Sequence, residues 1–176
     1  MAQDSKIQTA TLAGGCFWCT EAPYDELSGV EAAMSGYTNG AADDATYKKV
    51  SSGATAHFEA VQVTFDPTVS DYNKILDVFW KHIDPFDAGG QFYDRGTQYQ
   101  TAIFYHSDEQ RKLAEASKAK IEAEKGKKVA TAILPYKNFF PAEDYHQNYY
   151  KTNSEHYKAY KDGSGRVEKL GEIWGK

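Results

Sequence analysis

Two adjacent glycines, Gly14 and Gly15, separate a short apolar run from a segment with helical character. Glycine has no Cβ, so this pair permits a tight backbone turn that other residues would obstruct. The apolar run at 7–12 is typical of a strand, and we expect a helix over 16–27, with Pro23 as its one awkward residue. The chain therefore starts as a strand, a sharp turn and a helix, with Cys16 at or near the N-terminus of that helix.

The order of the remaining elements predicts the fold class. We expect further strands at 30–37, 58–65, 101–105 and 129–134, and further helices at 71–83, 107–125 and 141–150. The first six elements follow the split βαβ order of ferredoxin-like sandwiches. We predict an α+β, two-layer sandwich with one mixed sheet and an added C-terminal helix and strand.

Composition and charge narrow the possible functions. A chain of 176 residues without a visible linker is expected to form one domain, with the polar tail 152–176 packed on or near its core through Leu170, Ile173 and Trp174 at most. The net charge of −5 argues against nucleic acid or an anionic membrane as partner, and no apolar run is long enough for a membrane span. The N-terminal residues lack the apolar core of a signal peptide, so we expect a cytoplasmic location. We also expect the protein to be a monomer.

The two cysteines, Cys16 and Cys19, lie three residues apart. The unsatisfied N–H groups of a helix N-terminus favour a thiolate at Cys16. Such a pair can bind zinc, act as a thioredoxin-type dithiol, combine a nucleophile with a resolving thiol, or be two buried residues without a role. The five histidines show no paired spacing, so no metal is expected, and a nucleophile with a resolver is the preferred interpretation.

Glu59 lies in the alternating run at 58–65, on the same side as Val61, Val63 and Phe65. If that side faces the core, loss of solvent raises the pKa of the carboxyl and makes it a usable general acid. A register shifted by one residue would instead place Glu59 in solvent.

Two long loops, at 38–57 and 85–100, contain further candidate site residues. Tyr47 lies in the first loop, and we expect one helical turn around it. Asp94 and Tyr99 lie in the second. Phenol hydroxyls can donate hydrogen bonds to a polar oxygen in an apolar pocket, which Phe17 and Trp18 could line. Taken singly, each of these aromatic residues is more often a packing residue than a site residue, and His146 is interpreted as structural rather than catalytic.

Seven segments carry a resemblance to a known family. They are GGCFWC at 14–19, SGYTNG at 35–40, TYKKVSSG at 46–53, HFEAVQVTFDP at 57–67, VFWKHIDP at 78–85, DRGTQYQTAIFY at 94–105 and PAEDYHQNYY at 141–150. In this order they resemble the A-type methionine sulfoxide reductases, the peptide-methionine (S)-S-oxide reductases.

The resemblance implies a role for each candidate residue. Cys16 would attack the sulfoxide sulfur, and Glu59 would protonate the sulfoxide oxygen. Tyr47 and Tyr99 would hydrogen-bond that oxygen, Asp94 would support the polar network, and Phe17 and Trp18 would hold the terminal methyl group. The implied substrate is methionine S-sulfoxide, free or in proteins, and no cofactor is implied.

Recycling is where the chain departs from many members of that family. Many of them have glycine at the position of Cys19 and place recycling cysteines near the C-terminus, whereas no cysteine follows Cys19 here. Cys19 would then resolve the sulfenic acid on Cys16 as a disulfide for thioredoxin to reduce; otherwise an external thiol reduces the sulfenic acid directly.

The sequence is also compatible with two other functions. A general thiol–disulfide oxidoreductase would use the same cysteine pair without needing Glu59. A non-enzymatic, aromatic-rich binding module would keep its affinity after Cys16→Ser.

Overall fold

The computed structural model describes residues 7–175. Its strands are β1 (Gln8–Gly14), β2 (Val30–Thr38), β3 (Phe58–Phe65), β4 (Gly90–Gln91), β5 (Asp94–Arg95), β6 (Thr101–Tyr105), β7 (Ala132–Pro135) and β8 (Phe139–Pro141). Its helices are α1 (Phe17–Asp25), α2 (Tyr47–Ser51), α3 (Tyr72–Lys81), α4 (Asp108–Lys125), α5 (Tyr149–Thr152), α6 (Ser154–Gly163) and α7 (Arg166–Trp174). No helix within the described range is long and apolar enough to cross a membrane.

One six-stranded sheet, in the order β7-β6-β1-β3-β2-β8, forms the centre of the molecule. Its four middle strands, β6-β1-β3-β2, are antiparallel and have the order of a ferredoxin-like sandwich, so the predicted fold class is confirmed. Strand β7 pairs parallel with β6 after the α4 crossover, and β8 pairs antiparallel with β2. Strands β4 and β5 form a separate hairpin in the second long loop.

The core lies between the sheet and helices α1 and α3. Val61, Val63 and Phe65 of β3 are fully buried there and belong to one cluster with Ile75 and Phe79 of α3. Because side chains alternate along a strand, Glu59 shares this face, and the structure buries it as well. The register in which Glu59 points inward is therefore the one observed.

The segment after Pro141 differs from the predicted helix at 141–150. Phe139–Pro141 forms β8, a short 3₁₀ turn covers Asp144–His146, and only Tyr149–Thr152 is α-helical. Proline lacks a backbone N–H and is tolerated on an edge strand, which is where Pro141 lies. The facing Gly36 has no Cβ, and this lets the Phe139 ring and the Phe140 carbonyl approach closely.

The C-terminal segment forms α6 and α7 and makes more contacts than its polar sequence predicted. The Trp174 indole donates to the Ile83 carbonyl at 3.1 Å, in keeping with the predicted packing of that residue. Arg166 at the start of α7 is 2% exposed and donates to the His82 carbonyl at 2.7 Å. The prediction that at most Leu170, Ile173 and Trp174 attach this segment to the core was therefore wrong.

Candidate active site

The glycine turn places Cys16 directly before α1. Gly15 has φ +85°, and a Cβ there would lie 2.6 Å from the Cβ of Gln91, so both backbone conformation and space require glycine. Cys16 is the N-cap residue of α1, and its carbonyl accepts from the N–H groups of Cys19 and Thr20 at 3.2 and 3.3 Å. The predicted position of Cys16 is thus observed.

A small pocket of about 40 Å³ lies at Cys16. Its lining comprises Cys16, Phe17, Trp18, Tyr47, Glu59, Asp94, Tyr99 and Tyr160. The structure therefore gathers in one place all the predicted site residues except Cys19, which lies one helical turn further along α1. Tyr160 of α6 was not among the predicted residues.

Glu59 is the buried acid of this pocket. Its Oε1 accepts the backbone N–H of Phe17 at 3.3 Å, at the first residue of α1, and the residue is 1% exposed. Burial raises the pKa of Glu59 to about 8 and the nearby Asp94 carboxyl adds to this, while hydrogen bonds from Phe17 and Tyr99 act in the opposite direction. Glu59 is therefore predominantly protonated at neutral pH.

Two phenols and a second carboxyl complete the polar side of the pocket. Burial, together with the Glu59 carboxyl, raises the pKa of Tyr47 to about 12 and that of Tyr99 still further, so both hydroxyls keep their protons. Burial also raises the pKa of Asp94, which accepts a hydrogen bond from the Tyr160 hydroxyl. The pocket is thus lined by proton donors and by a cysteine.

Comparison with known proteins agrees with this arrangement. A family model described as peptide methionine sulfoxide reductase matches residues 8–176. The chain belongs to this family. It is 52% identical to the peptide methionine sulfoxide reductase MsrA of Bacillus subtilis over 173 residues, which cover 97% of each chain.

Solved structures with the same fold also match this chain. The reduced form of Mxr1 from Saccharomyces cerevisiae matches with a TM-score of 0.81 and 35% identity, covering 88% of this chain and 90% of that one. Mxr1 in complex with Trx2 matches with a TM-score of 0.57 and 28% identity, covering 85% and 88% respectively.

In this member of the peptide methionine sulfoxide reductase family, Trp18 is held by aromatic residues from the C-terminal part of the chain. Its indole N–H donates to His146 Nδ1 at 3.0 Å. Its ring stacks on Tyr149, with centroids 4.0 Å apart and an interplanar angle of 9°, and meets Tyr160 edge-on at 5.6 Å. His146 is fully buried, in keeping with its interpretation as a structural residue.

Tyr149 and Tyr160 are the site residues that sequence reasoning missed. The signal that could have suggested them was the unusual number of tyrosines, 13 in all. A tyrosine count alone does not say which of the side chains turn toward the site.

The two thiols carry charge differently from the expectation. Burial raises the pKa of Cys16, and its hydrogen bond with Cys19 and the acidic side chains of Glu59 and Asp94 raise it further. The hydrogen bond from Cys16 lowers the pKa of Cys19 to about 6, against the effect of burial, and the cation of Arg166 contributes. The acids around Cys16 oppose the thiolate predicted there, whereas the cations around Cys19 favour a thiolate at Cys19.

The site contains side chains suited to thiol chemistry. Between residues 7 and 175, no group of three or more His, Cys, Asp and Glu side chains is arranged to hold a metal ion. Cys16 and Cys19 are both free thiols and both are buried. What the pocket offers is a sulfur nucleophile, a protonated carboxyl and two phenols around a space of a few atoms.

Proposed function

We propose that this chain reduces methionine S-sulfoxide, free or within proteins, to methionine, using Cys16 as nucleophile and Cys19 as resolving thiol. The observation that carries the proposal is the protonated Glu59 in the same small pocket as the Cys16 sulfur. A sulfoxide sulfur is a poor electrophile until its oxygen is protonated or strongly hydrogen-bonded. A general thiol–disulfide exchange would not need such an acid.

The pocket suits a bound sulfoxide in one orientation. The sulfoxide oxygen would point toward Glu59, with the hydroxyls of Tyr47 and Tyr99 as further donors. Phe17 and Trp18 would hold the terminal methyl group, and the aromatic contacts around Trp18 would keep that wall in place. Preference for the S epimer rests on family membership.

The first chemical step moves one oxygen atom from the substrate to Cys16. The Cys19 thiolate takes the Cys16 proton along their hydrogen bond, and the Cys16 sulfur attacks the sulfoxide sulfur as Glu59 protonates the oxygen. This attack forms a bond between the two sulfurs. As the hydroxyl passes from the substrate sulfur to the Cys16 sulfur, the substrate's sulfur–oxygen bond and the new sulfur–sulfur bond both break, methionine leaves, and Cys16 becomes a sulfenic acid. Asp94 would support the polar network around the transferred oxygen.

The second step forms a disulfide. Cys19 attacks the sulfenic sulfur of Cys16, the new sulfur–sulfur bond forms and water leaves. Thioredoxin, or a similar dithiol reductant, would return both thiols. This assignment is supported by the likeness to Mxr1, which has been solved in complex with Trx2.

A single-turnover experiment without reductant tests the proposal. Reduced protein mixed with methionine S-sulfoxide should yield one methionine per chain and lose the mass of two hydrogen atoms. The Cys19→Ser variant should still yield one methionine but gain the mass of one oxygen atom on Cys16.

Three results would contradict this scheme. Absence of methionine from the reduced protein would refute the reductase function. Methionine formation by Cys19→Ser without added oxygen on Cys16 would refute the proposed intermediate. Reduction of a model disulfide that survives Glu59→Gln, without methionine formation, would favour the general thiol–disulfide oxidoreductase.

We also propose a cytoplasmic location, because the cycle consumes a dithiol reductant and needs both cysteines reduced. Fractionation of the native source, with detection by antibody, tests this. Recovery of the protein in another compartment would refute it.

A further inference from the structure

A second cavity, of about 620 Å³, lies on the Cys19 side of α1. Its lining includes Cys19 from α1, Glu26 directly after α1, Lys81 at the end of α3, and Tyr157, Lys161 and Arg166 from the C-terminal helices. None of its lining residues also lines the pocket at Cys16. The two sulfurs of the dithiol pair therefore face two separate spaces.

Positive charge predominates in this Cys19 cavity. Lys81 pairs with Asp77 at 3.1 Å, but in the part of the chain that the structure describes no carboxylate lies within ion-pair distance of Lys161 or Arg166. Glu26 is the one acidic residue in the lining. A cavity with unpaired cations attracts anions.

Arg166 is the most informative of these cations, because it is buried. Its guanidinium donates to the carbonyls of His82 and Gly14 at 2.7 and 3.4 Å and lies 4.5 Å from the centroid of the Phe92 ring. These partners fix its position without neutralising its charge. A buried, fixed and unpaired cation beside a cysteine sulfur stabilises negative charge on that sulfur and on a thiolate approaching it.

We propose that the Cys19 cavity binds a small thiol bearing carboxylate groups and delivers its thiolate to the Cys19 sulfur of the oxidised protein. This inference rests on the Cys16–Cys19 disulfide of the proposed function. It adds a second class of reductant and a separate access route, so that sulfoxide reaches Cys16 on one side while the thiol reaches Cys19 on the other.

The proposed reduction takes two steps and balances. The first thiolate attacks the Cys19 sulfur, a mixed disulfide forms, the Cys16–Cys19 bond breaks and Cys16 leaves with the electron pair and takes up a proton. A second thiol, as its thiolate, attacks the sulfur of the bound small thiol. The two small thiols leave as one disulfide, and Cys19 is released as the thiolate that the cavity's cations stabilise.

The test measures reduction of the disulfide alone. The protein is oxidised with diamide, so the assay does not depend on methionine sulfoxide, and is then reduced with mercaptosuccinate, which carries two carboxylates, or with neutral mercaptoethanol. Each rate is divided by the rate of the same thiol on a small model disulfide. Lys161→Gln removes one cavity cation, and Lys128→Gln, an exposed lysine outside the cavity lining, is the matched control.

We expect Lys161→Gln to slow reduction of the disulfide by mercaptosuccinate about three- to tenfold and reduction by mercaptoethanol less than about twofold. The difference between the two effects should become smaller at high salt. Lys128→Gln should change neither rate. Acid quenching, alkylation and peptide mapping should find mercaptosuccinate on Cys19 and the alkyl group on Cys16.

Several outcomes would overturn the proposal. Lys161→Gln could slow reduction by both thiols equally, or by neither. Peptide mapping could find the mixed disulfide on Cys16, or diamide could fail to form the Cys16–Cys19 disulfide. If Lys161→Gln slowed reduction by thioredoxin but not by mercaptosuccinate, the cavity would serve protein docking instead. Failure of methionine formation in the single-turnover experiment would refute the proposed function separately.

Discussion

Glu59 and Cys19 are both buried, yet one keeps its proton and the other loses it. Glu59 faces another carboxyl, Asp94, and little positive charge, so burial dominates and its pKa rises. Cys19 faces Arg166 and accepts a hydrogen bond from Cys16, and these outweigh burial. Opposite protonation of two neighbouring groups gives the site an acid and a base at the same pH.

This pairing predicts a bell-shaped pH profile for methionine formation in a single turnover. The rate should rise through about pH 6, as Cys19 ionises, and fall through about pH 8, as Glu59 loses its proton. Rapid-quench measurement of methionine across this range provides the check. A rate that keeps rising above pH 9 would contradict the role of Glu59 as acid.

Replacing Glu59 by glutamine should lower the rate of methionine formation and raise the stability of the fold. Glu59→Gln is expected to lower the single-turnover rate by roughly 100-fold or more, because the proton donor is lost. The pKa of Glu59 is raised from 4.5 to about 8, so the folded wild type binds the extra proton in this window and loses stability as pH rises. The variant lacks this loss and should gain roughly 3–4 kcal/mol on the wild type between pH 4.5 and 8.

Urea denaturation at several pH values measures the stability change, and rapid quench measures the rate. Glu21→Gln is a suitable control, since Glu21 is a buried carboxyl of α1 that accepts a hydrogen bond from Ser35 at 2.6 Å and lies outside the pocket lining. It should leave the rate of methionine formation within about twofold of the wild type. Equal loss of activity in both variants would indicate general disruption of α1.

At the scale of single elements, α6 has a larger part in the site than its polar sequence indicates. Its Tyr160 lines the pocket at Cys16, donates to Asp94 and meets the Trp18 ring edge-on. Through Tyr160 alone, α6 thus contacts both a polar residue of the site, Asp94, and an aromatic one, Trp18.

Tyr160→Phe keeps the ring but removes the hydroxyl that donates to Asp94. We expect about a fivefold loss in kcat/KM, the size of one hydrogen bond, with the melting temperature little changed. Tyr93→Phe is the matched control, because Tyr93 is 75% exposed. Equal kinetic effects in the two variants would show that the Tyr160 hydroxyl has no specific role.

The first turn of α1 should loosen when the disulfide forms. A disulfide between residues three apart in a helix imposes restrictive geometry, and the amides of Cys19 and Thr20 are bonded to the Cys16 carbonyl in the reduced state. Hydrogen exchange of these amides should be faster after oxidation, whereas those of α4 should be unaffected. Equal exchange in both redox states would contradict this.

At the scale of the whole molecule, the strands of the central sheet other than β8 were predictable because local patterns determine them. The alternation at 58–65 put Glu59 on the same side as Val61, Val63 and Phe65 but left open whether that side is buried, which the structure shows it to be. The order of the first six elements predicted the ferredoxin-like topology. Local signals also bound α4, because Ser107 at its start accepts from the Gln110 N–H at 3.2 Å and Gly126, with φ +65°, follows its last residue.

Features that depend on distant residues could not be predicted in this way. The charge state of the thiols depends on Arg166, which follows Cys16 by almost the whole chain and reaches it only through folding. Strand β8 can pack against β2 because Gly36 has no Cβ to obstruct it, although the sequence at Pro141 resembles the start of a helix. Local propensity and tertiary contact disagree at such places, and contact prevails.

The hydrogen bond from Arg166 to the Gly14 carbonyl joins the last helix to the first strand. A ribosome makes Cys16 and Cys19 early and Arg166 late, roughly 7–30 s apart at about 5–20 residues per second. Throughout that interval the nascent chain holds both thiols without the cation that sets their charge and without the tyrosines that enclose Trp18. Catalytic competence is therefore acquired at the end of translation, and an incomplete chain released early would carry the cysteines without the site.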